Sequence, residues 1–212
     1  MGKSKFITAS KALERLKEGN ERFVKNRSTG ILGVHQDLQK LMLKSRGPFA
    51  IILSCSDSRA PAEILFDQGL GDLFVIRVAG NIIAPSLVGS VEFAAATTKA
   101  RLVVVMGHTQ CAAIRATYDS IEGKRPMLSE NIHDIVERIR PHIWSLFSRK
   151  GNAKKKEAIL RKAVKMNILA SANHLRHGSR ILEDKVRHEG LMIVGAEYDI
   201  ETGVVDFFDM PQ

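Results

Sequence analysis

Cysteine is scarce in this chain, with two residues, Cys55 and Cys111, among 212. A secreted domain of this size with one disulfide is possible, but nothing else suggests secretion. Long apolar runs are also missing, none nearing the ~18 residues that a membrane-spanning helix requires. Met1 to Phe6 has no apolar core and no small-residue cleavage site, so it does not read as a signal peptide. A cytoplasmic location is the default expectation. There is no internal repeat, no low-complexity tract and no Pro/Gly/Ser linker to divide the chain.

What is present is a globular composition, 44% hydrophobic and 26% charged. This length suits one well-buried core, so a single domain over 1–212 is expected, with an N-terminal helical arm over about 1–45. The net charge of +9 raises the question of nucleic acid. The excess gathers at Arg149, Lys150, Lys154, Lys155, Lys156, Arg161, Lys162 and Lys165. No aromatic residue is interleaved there and no nucleic-acid fold signature accompanies it, so it reads as a solvated helix face.

Ala12, Leu13, Leu16 and Phe23 repeat at helical spacing within a helix over Ala9 to Val24, and a second short helix is expected from Gln36 to Lys44. Four compact, mostly β-branched runs follow: Phe49 to Ser54, Leu73 to Val78, Leu102 to Met106 and Leu191 to Ala196. Each is too short for a helix and reads as a strand buried on both faces. Pro61 is placed to open a short helix. Ser86 is a candidate cap for a helix over Leu87 to Ala100. Beyond Cys111 the chain reads as helical, with one apolar stripe at Ile132, Ile135, Val136, Ile139 and Ile143 and another at Leu160, Val164, Ile168 and Leu175. Ser179 can cap a last helix ending at Gly190, and Val204 to Phe208 returns as a hairpin strand through Thr202-Gly203. The expected fold is α/β: a four-stranded parallel sheet core plus an antiparallel edge strand, with helices on both faces.

Two strands deliver metal-capable residues at their C-terminal ends, Cys55-Ser56-Asp57-Ser58-Arg59 after the first and His108-Thr109-Gln110-Cys111 after the third. Ligands of open α/β sheets gather in the crevice beyond those ends, so two loops distant in sequence can converge. Two Cys and one His are ligands zinc favours, and a catalytic zinc keeps a fourth position open. Cys111 would start the next helix, whose positive end lowers a thiol pKa. Asp57 and Arg59 can pair as carboxylate and guanidinium. Such a pair is either a loop-stabilising ion pair or a gate that keeps Asp57 off the metal. His-x-x-Cys alone is a weak motif. A redox dithiol of Cys55 and Cys111 leaves His108 and Asp57 unexplained.

Taken together these residues resemble the β-class carbonic anhydrases. Cys55-x-Asp57-x-Arg59 and His108-x-x-Cys111 match the family's zinc motifs. Ala12-Leu13 with Gly19-Asn20-x-Arg22-Phe23 is similar to its N-terminal helix, Phe66 to Phe74 and Arg77 to Asn81 to its central block, and Gly195-Ala196-x-Tyr198-Asp199 with Thr202-Gly203 to its C-terminal hairpin. The resemblance implies one zinc per subunit held by Cys55, His108 and Cys111. It implies reversible hydration of CO2 to bicarbonate and a proton by a zinc-bound hydroxide, oriented by Asp57, which Arg59 positions. It also implies a dimer or tetramer, with apolar pocket residues shared between subunits, Phe66 and Val88 being candidates.

Three positions depart from the family pattern. Arg46 stands where Gln usually helps bind substrate, and Ala112 where Gly usually follows the second cysteine. Both are candidate pocket positions. Ile52 stands where one subgroup has a Trp in a non-catalytic bicarbonate pocket, although Arg77 and Tyr198 remain. An open, water-bearing zinc without strong bicarbonate inhibition is therefore expected at neutral pH. Arg46 and Ala112 keep two alternatives in view, a carbonyl sulfide or carbon disulfide hydrolase on the same scaffold and a non-catalytic zinc-binding homologue. The latter leaves Asp57 and Arg59 without a purpose. None of the other histidines, His35, His133, His142, His174, His177 and His188, lies near the motifs in sequence.

Overall fold

The computed structural model describes residues 7–28, 47–123, 129–147 and 153–208. The expected helix at Gln36 to Lys44 and the candidate residue Arg46 lie outside them.

Apolar β-branched runs bounded by loop residues form the strands. They are β1 (Ala50–Ser54), β2 (Leu73–Arg77), β3 (Leu102–His108), β4 (Met192–Tyr198) and β5 (Val205–Phe208). They assemble as one sheet in the order β2-β1-β3-β4-β5. The first four run parallel and β5 is antiparallel to β4, as the sequence pattern implied. β1 and β3 are fully buried along their length. That is why they read as continuous apolar runs rather than alternating ones.

The helices are α1 (Ala9–Val24), α2 (Ala62–Leu65), α3 (Pro85–Thr97), α4 (Ala112–Ile121), α5 (Glu130–Ile143), α6 (Ala153–His177) and α7 (Arg180–His188). Side chains alternate across each strand, so Ile51, Leu53, Val103, Val105 and Ile193 face one core and Ala50, Ile52, Val104, Met106 and Val194 the other. The first core packs beneath α3 to α7, the second beneath α1 and α2.

Close approach is built in with glycine. A Cβ on Gly107 would stand 2.7 Å from Ile168 of α6, and one on Gly195 of the neighbouring strand 3.0 Å from the same side chain. The two glycines make a recess that fully buried Ile168 fills. On the other face a Cβ on Gly19 would collide with the Phe66 carbonyl at 1.8 Å, so only glycine lets α1 lie this close to α2.

Some boundaries differ from expectation. Ser86 does not cap α3; Ala84 is the cap residue and Pro85 occupies the first turn, where its missing N–H costs nothing. β3 runs two residues past Met106 because Gly107 and His108 keep pairing with Glu197 and Tyr198. In α5 the buried stripe consists of Val136, Ile139 and Ile143, while Ile132 is exposed. Ser179 caps α7 as expected, accepting from the Leu182 amide.

Candidate metal centre

Register brings the two motif loops together. β1 and β3 are hydrogen-bonded parallel neighbours with Ser54 opposite Met106. The residues that follow leave the same end of the sheet side by side, Cys55 from β1 and His108 from the end of β3. Gln110 then takes a left-handed φ of 60° and turns the chain so that Cys111 becomes the cap residue of α4. The donor atoms of Cys55, His108 and Cys111 all lie within 4.8 Å of one another, and all three residues are buried. A tetrahedral zinc with bonds of ~2.3 Å to sulfur would hold two thiolates about 3.8 Å apart, so the cluster is of the right size.

The imidazole is prepared for a metal. His108 Nδ1 lies 2.8 Å from the Thr109 carbonyl, which accepts its proton and fixes the tautomer. In the neutral imidazole Nε2 is then the bare lone pair, and it is buried without a hydrogen-bond partner. An orphaned acceptor facing two cysteine sulfurs fits a bound cation. Thr109 is itself held twice, its amide donating to the Tyr198 carbonyl at 2.9 Å and its hydroxyl accepting from the Ile200 amide at 3.0 Å.

The two thiols divide their protons unequally. The Cys111 thiol donates to Cys55, and this, with the adjoining His108 imidazole and the amides of Asp57 and Gly80, brings the Cys55 pKa down to about 4 against the opposing effect of burial. Cys111 moves up, because its proton is held by the Cys55 thiolate and burial adds to the rise. The start of α4 does favour a Cys111 thiolate through the Ala113 and Ile114 amides, but they are outweighed. The helix terminus thus acts on Cys111 in the expected direction, but the proton shared with Cys55 and burial reverse the net shift. His108 moves up as well: burial is the largest single influence and opposes its protonation, but Cys55, the Thr109 carbonyl and Asp57 together outweigh it.

Beside the cluster, Arg59 grips Asp57 with both arms, Nε to Oδ1 at 2.9 Å and a terminal nitrogen to Oδ2 at 2.7 Å, while the Arg59 amide adds 3.0 Å to Oδ1. The guanidinium holds the Asp57 carboxyl well below the usual carboxylate range. Asp57 Oδ2 stays 3.9 Å from His108 Nε2. So the sequence pair Asp57/Arg59 is a closed fork at the edge of the cluster. Arg77 of β2 clamps the same loop from below, donating to the carbonyls of Cys55 at 3.1 Å and Asp57 at 2.6 Å. Its guanidinium is committed to backbone.

The candidate pocket residues are placed unevenly. Val88 on α3 is half-buried against the core that contains Cys55 and Cys111. Ala112 opens α4 and is exposed. Phe66 lies across the sheet, fully buried in the second core and 5.9 Å from the Phe207 ring, so one chain does not bring it to the cluster. Among the described residues, no other group of three or more His, Cys, Asp or Glu side chains stands close enough to hold a metal ion.

The carbonic anhydrase family model matches residues 50–205. The chain belongs to the β-class carbonic anhydrases. A carbonic anhydrase of Mycolicibacterium smegmatis is 43% identical over 137 residues, a segment covering 62% of this chain and 63% of that relative. Carbonic anhydrase 2 of Mycobacterium tuberculosis is 34% identical over 91% of this chain and 89% of its own length. Among solved structures, the β-carbonic anhydrase CcaA superposes with a TM-score of 0.70 at 26% identity, covering 93% of this chain and 95% of that one. A β-carbonic anhydrase of Aspergillus fumigatus gives 0.69 at 22% identity over 96% and 91%, a likeness of fold.

Membership makes sense of motifs that composition left unexplained. Gly19, Asn20 and Arg22, part of the block similar to the N-terminal helix of the β-class carbonic anhydrases, fasten α1 to the sheet. Gly19 permits the approach, Asn20 bridges to Leu65, Gly203 and Val205, and Arg22 Nε reaches buried Asp67 at 2.6 Å. Thr109 and Gly80 stood in the sequence only as members of larger motif blocks with no role of their own, and Asn167 only as a polar residue beside the apolar stripe of α6.

Proposed function

We propose that this chain hydrates CO2 reversibly to bicarbonate and a proton, with one zinc ion held by Cys55, His108 and Cys111. The observation that carries the reading is the buried, unpartnered His108 Nε2 gathered with two cysteine sulfurs within 4.8 Å of one another. When bound, zinc supplies the Lewis acidity that ionises water near neutral pH. The protein's own residues do the rest. Cys55 and Cys111 give two negative charges that balance the ion, and the Thr109 carbonyl keeps the imidazole aimed.

Asp57 is ionised and accepts hydrogen bonds only, so a water or hydroxide beside it must point its hydrogen at Oδ2 and its lone pair elsewhere. Arg59 keeps that carboxylate in place and occupied. This favours an open fourth metal position at neutral pH over a carboxylate ligand. Arg77, committed to the carbonyls beneath the loop, is poorly disposed to bind a second bicarbonate. Val88 and Ala112 are proposed to border the substrate's approach.

A dimer or tetramer is the proposed assembly. α3 is apolar almost all round yet leaves Phe93 62% exposed, as a helix does when a partner covers it. Solved structures described as tetrameric β-carbonic anhydrases of Sordaria macrospora share the fold at a TM-score of 0.68 and 18% identity. No helix among the described residues is long and apolar enough to cross a membrane, in keeping with a proposed cytoplasmic location. Lys156 and Lys165 of the basic run lie over the rings of Tyr118 and Phe208, at 4.7 and 4.5 Å, which suits a helix face better than a nucleic-acid surface.

The test is a substrate comparison with zinc-loaded protein, measuring turnover of CO2, carbonyl sulfide and carbon disulfide side by side. CO2 hydration dominating the three is the expected result. Preference for a sulfur analogue would transfer the reaction to a hydrolase, and no turnover at full zinc occupancy would leave a binding protein.

A further inference from the structure

α6 is the longest helix and packs on the site face of the sheet, yet it buries two polar side chains one turn apart. Asn167 and Ser171 are each 1% exposed. They address consecutive carbonyls of one turn, Asn167 Nδ2 donating to Gly80 at 2.8 Å and Ser171 Oγ to Asn81 at 3.2 Å. Both Gly80 and Asn81 are left-handed, with φ of 69° and 42°, so the turn needs outside support. The amide of the same Gly80 points the other way, at Cys55 Sγ, 3.4 Å distant. The turn is walled in elsewhere. A Cβ on Gly80 would stand 2.8 Å from Ile139 of α5 and 2.9 Å from Ala113 of α4.

We infer that Asn167 is a positioning residue of the metal centre: by fixing the Gly80 carbonyl it aims the Gly80 amide at the Cys55 thiolate. The inference rests on the metal-site reading above and extends it from the ligands to the α6 helix. An N–H donated to a metal thiolate draws electron density from sulfur, so the sulfur gives less to the metal and the metal becomes a stronger Lewis acid. Any donor would satisfy a buried carbonyl. What sets Asn167 apart is that its carbonyl belongs to the residue whose amide meets the thiolate, whereas Ser171 holds the next residue along. Asn167 is otherwise expensive for this place. Its Oδ1 is buried without a partner, as is Nδ2 of Asn81. An apolar side chain would avoid that penalty.

The experiment uses cobalt(II) in place of zinc and reads the thiolate-to-cobalt absorption in the near ultraviolet. Wild type, Asn167→Leu, Asn167→Asp and Ser171→Ala are compared after circular dichroism establishes folding. Aspartate has the shape of asparagine but no donor for Gly80, and it replaces the leucine variant if that fails to fold. Asn167→Leu or Asn167→Asp is expected to move the band to longer wavelength, because the sulfur has become the better donor, while Ser171→Ala leaves it in place. In the zinc forms, the Asn167 variants are expected to lose about 10-fold in kcat/KM at neutral pH, with the pH profile moved toward alkali.

A folded, fully loaded Asn167 variant whose band superposes on wild type overturns the inference. So does a band that moves equally in Ser171→Ala, which reduces both residues to packing. Wild-type protein with no thiolate–cobalt band at all overturns the metal-site reading instead, so the two failures are told apart.

Discussion

The helices α1 and α6, on opposite faces of the sheet, each bury an asparagine, and the two are treated differently. On the α1 side, Asn20 is fully used: Nδ2 donates to the Leu65 and Gly203 carbonyls at 3.1 and 3.0 Å, and Oδ1 accepts from the Val205 amide at 2.9 Å. It ties α1, α2 and the β4–β5 hairpin together and leaves nothing open. On the α6 side, Asn167 makes one bond, and unpartnered atoms remain on Asn167, Asn81 and His108. Asn20 holds the fold together. Ser54 Oγ, on the α1 side by strand alternation, is the one other unpartnered buried side-chain atom among the described residues, so three of the four lie on the face where an ion is to bind, which is where such atoms are worth their cost.

The comparison is broken most severely by removing a ligand. Cys55→Ser is expected to abolish zinc retention and CO2 hydration, read by metal analysis and stopped-flow, while leaving the α1 face intact by circular dichroism. Asp57→Asn should keep its zinc and lose about 100-fold in kcat/KM, because the amide can no longer accept from the water as a carboxylate does.

On the α1 side the loss is one of stability. Asn20→Ala strands two carbonyls and an amide, which at about 1–3 kcal/mol for each unsatisfied group amounts to several kcal/mol. With about 2–4 °C per kcal/mol for a chain of this size, the melting temperature should fall on the order of 10 °C. The cobalt spectrum of that variant should be unchanged, since nothing on the metal face has moved.

The smallest effect concerns protons. Cys55 is already ionised at neutral pH in the metal-free protein, whereas Cys111 holds its proton until the ion arrives. Zinc uptake at pH 7 should thus release the Cys111 proton and the protonated fraction of His108, between about one and two protons per ion, and apparent affinity should rise about tenfold or more per pH unit there. Calorimetry in buffers of differing ionisation enthalpy reads this number. A value above two would mean that the thiols do not share a proton as described.

Much of this was legible in the sequence because the local signals agreed. Buried parallel strands write themselves as apolar runs, and metal motifs at two strand ends can meet only if the strands are neighbours, as β1 and β3 are. Asp57 and Arg59, two residues apart, had little freedom but to pair. Other features depend on three-dimensional context that periodicity does not carry. The acidity of Cys55 over Cys111 is set by a contact between distant loops. Gly107 and Gly195 look like ordinary strand glycines until Ile168 is seen above both. Asn167 stands beside an apolar stripe and shows its purpose only when Gly80 is found beneath it. Phe66 illustrates the reverse case, an aromatic in a family block whose side chain turned to the far core.

The most direct test of the account is CO2 hydration measured against zinc added to metal-free protein. The rate should climb linearly and level off at one zinc per chain, with Cys55→Ser flat throughout. A rate that is already full without zinc, or that stays at background after one equivalent is bound, would contradict it.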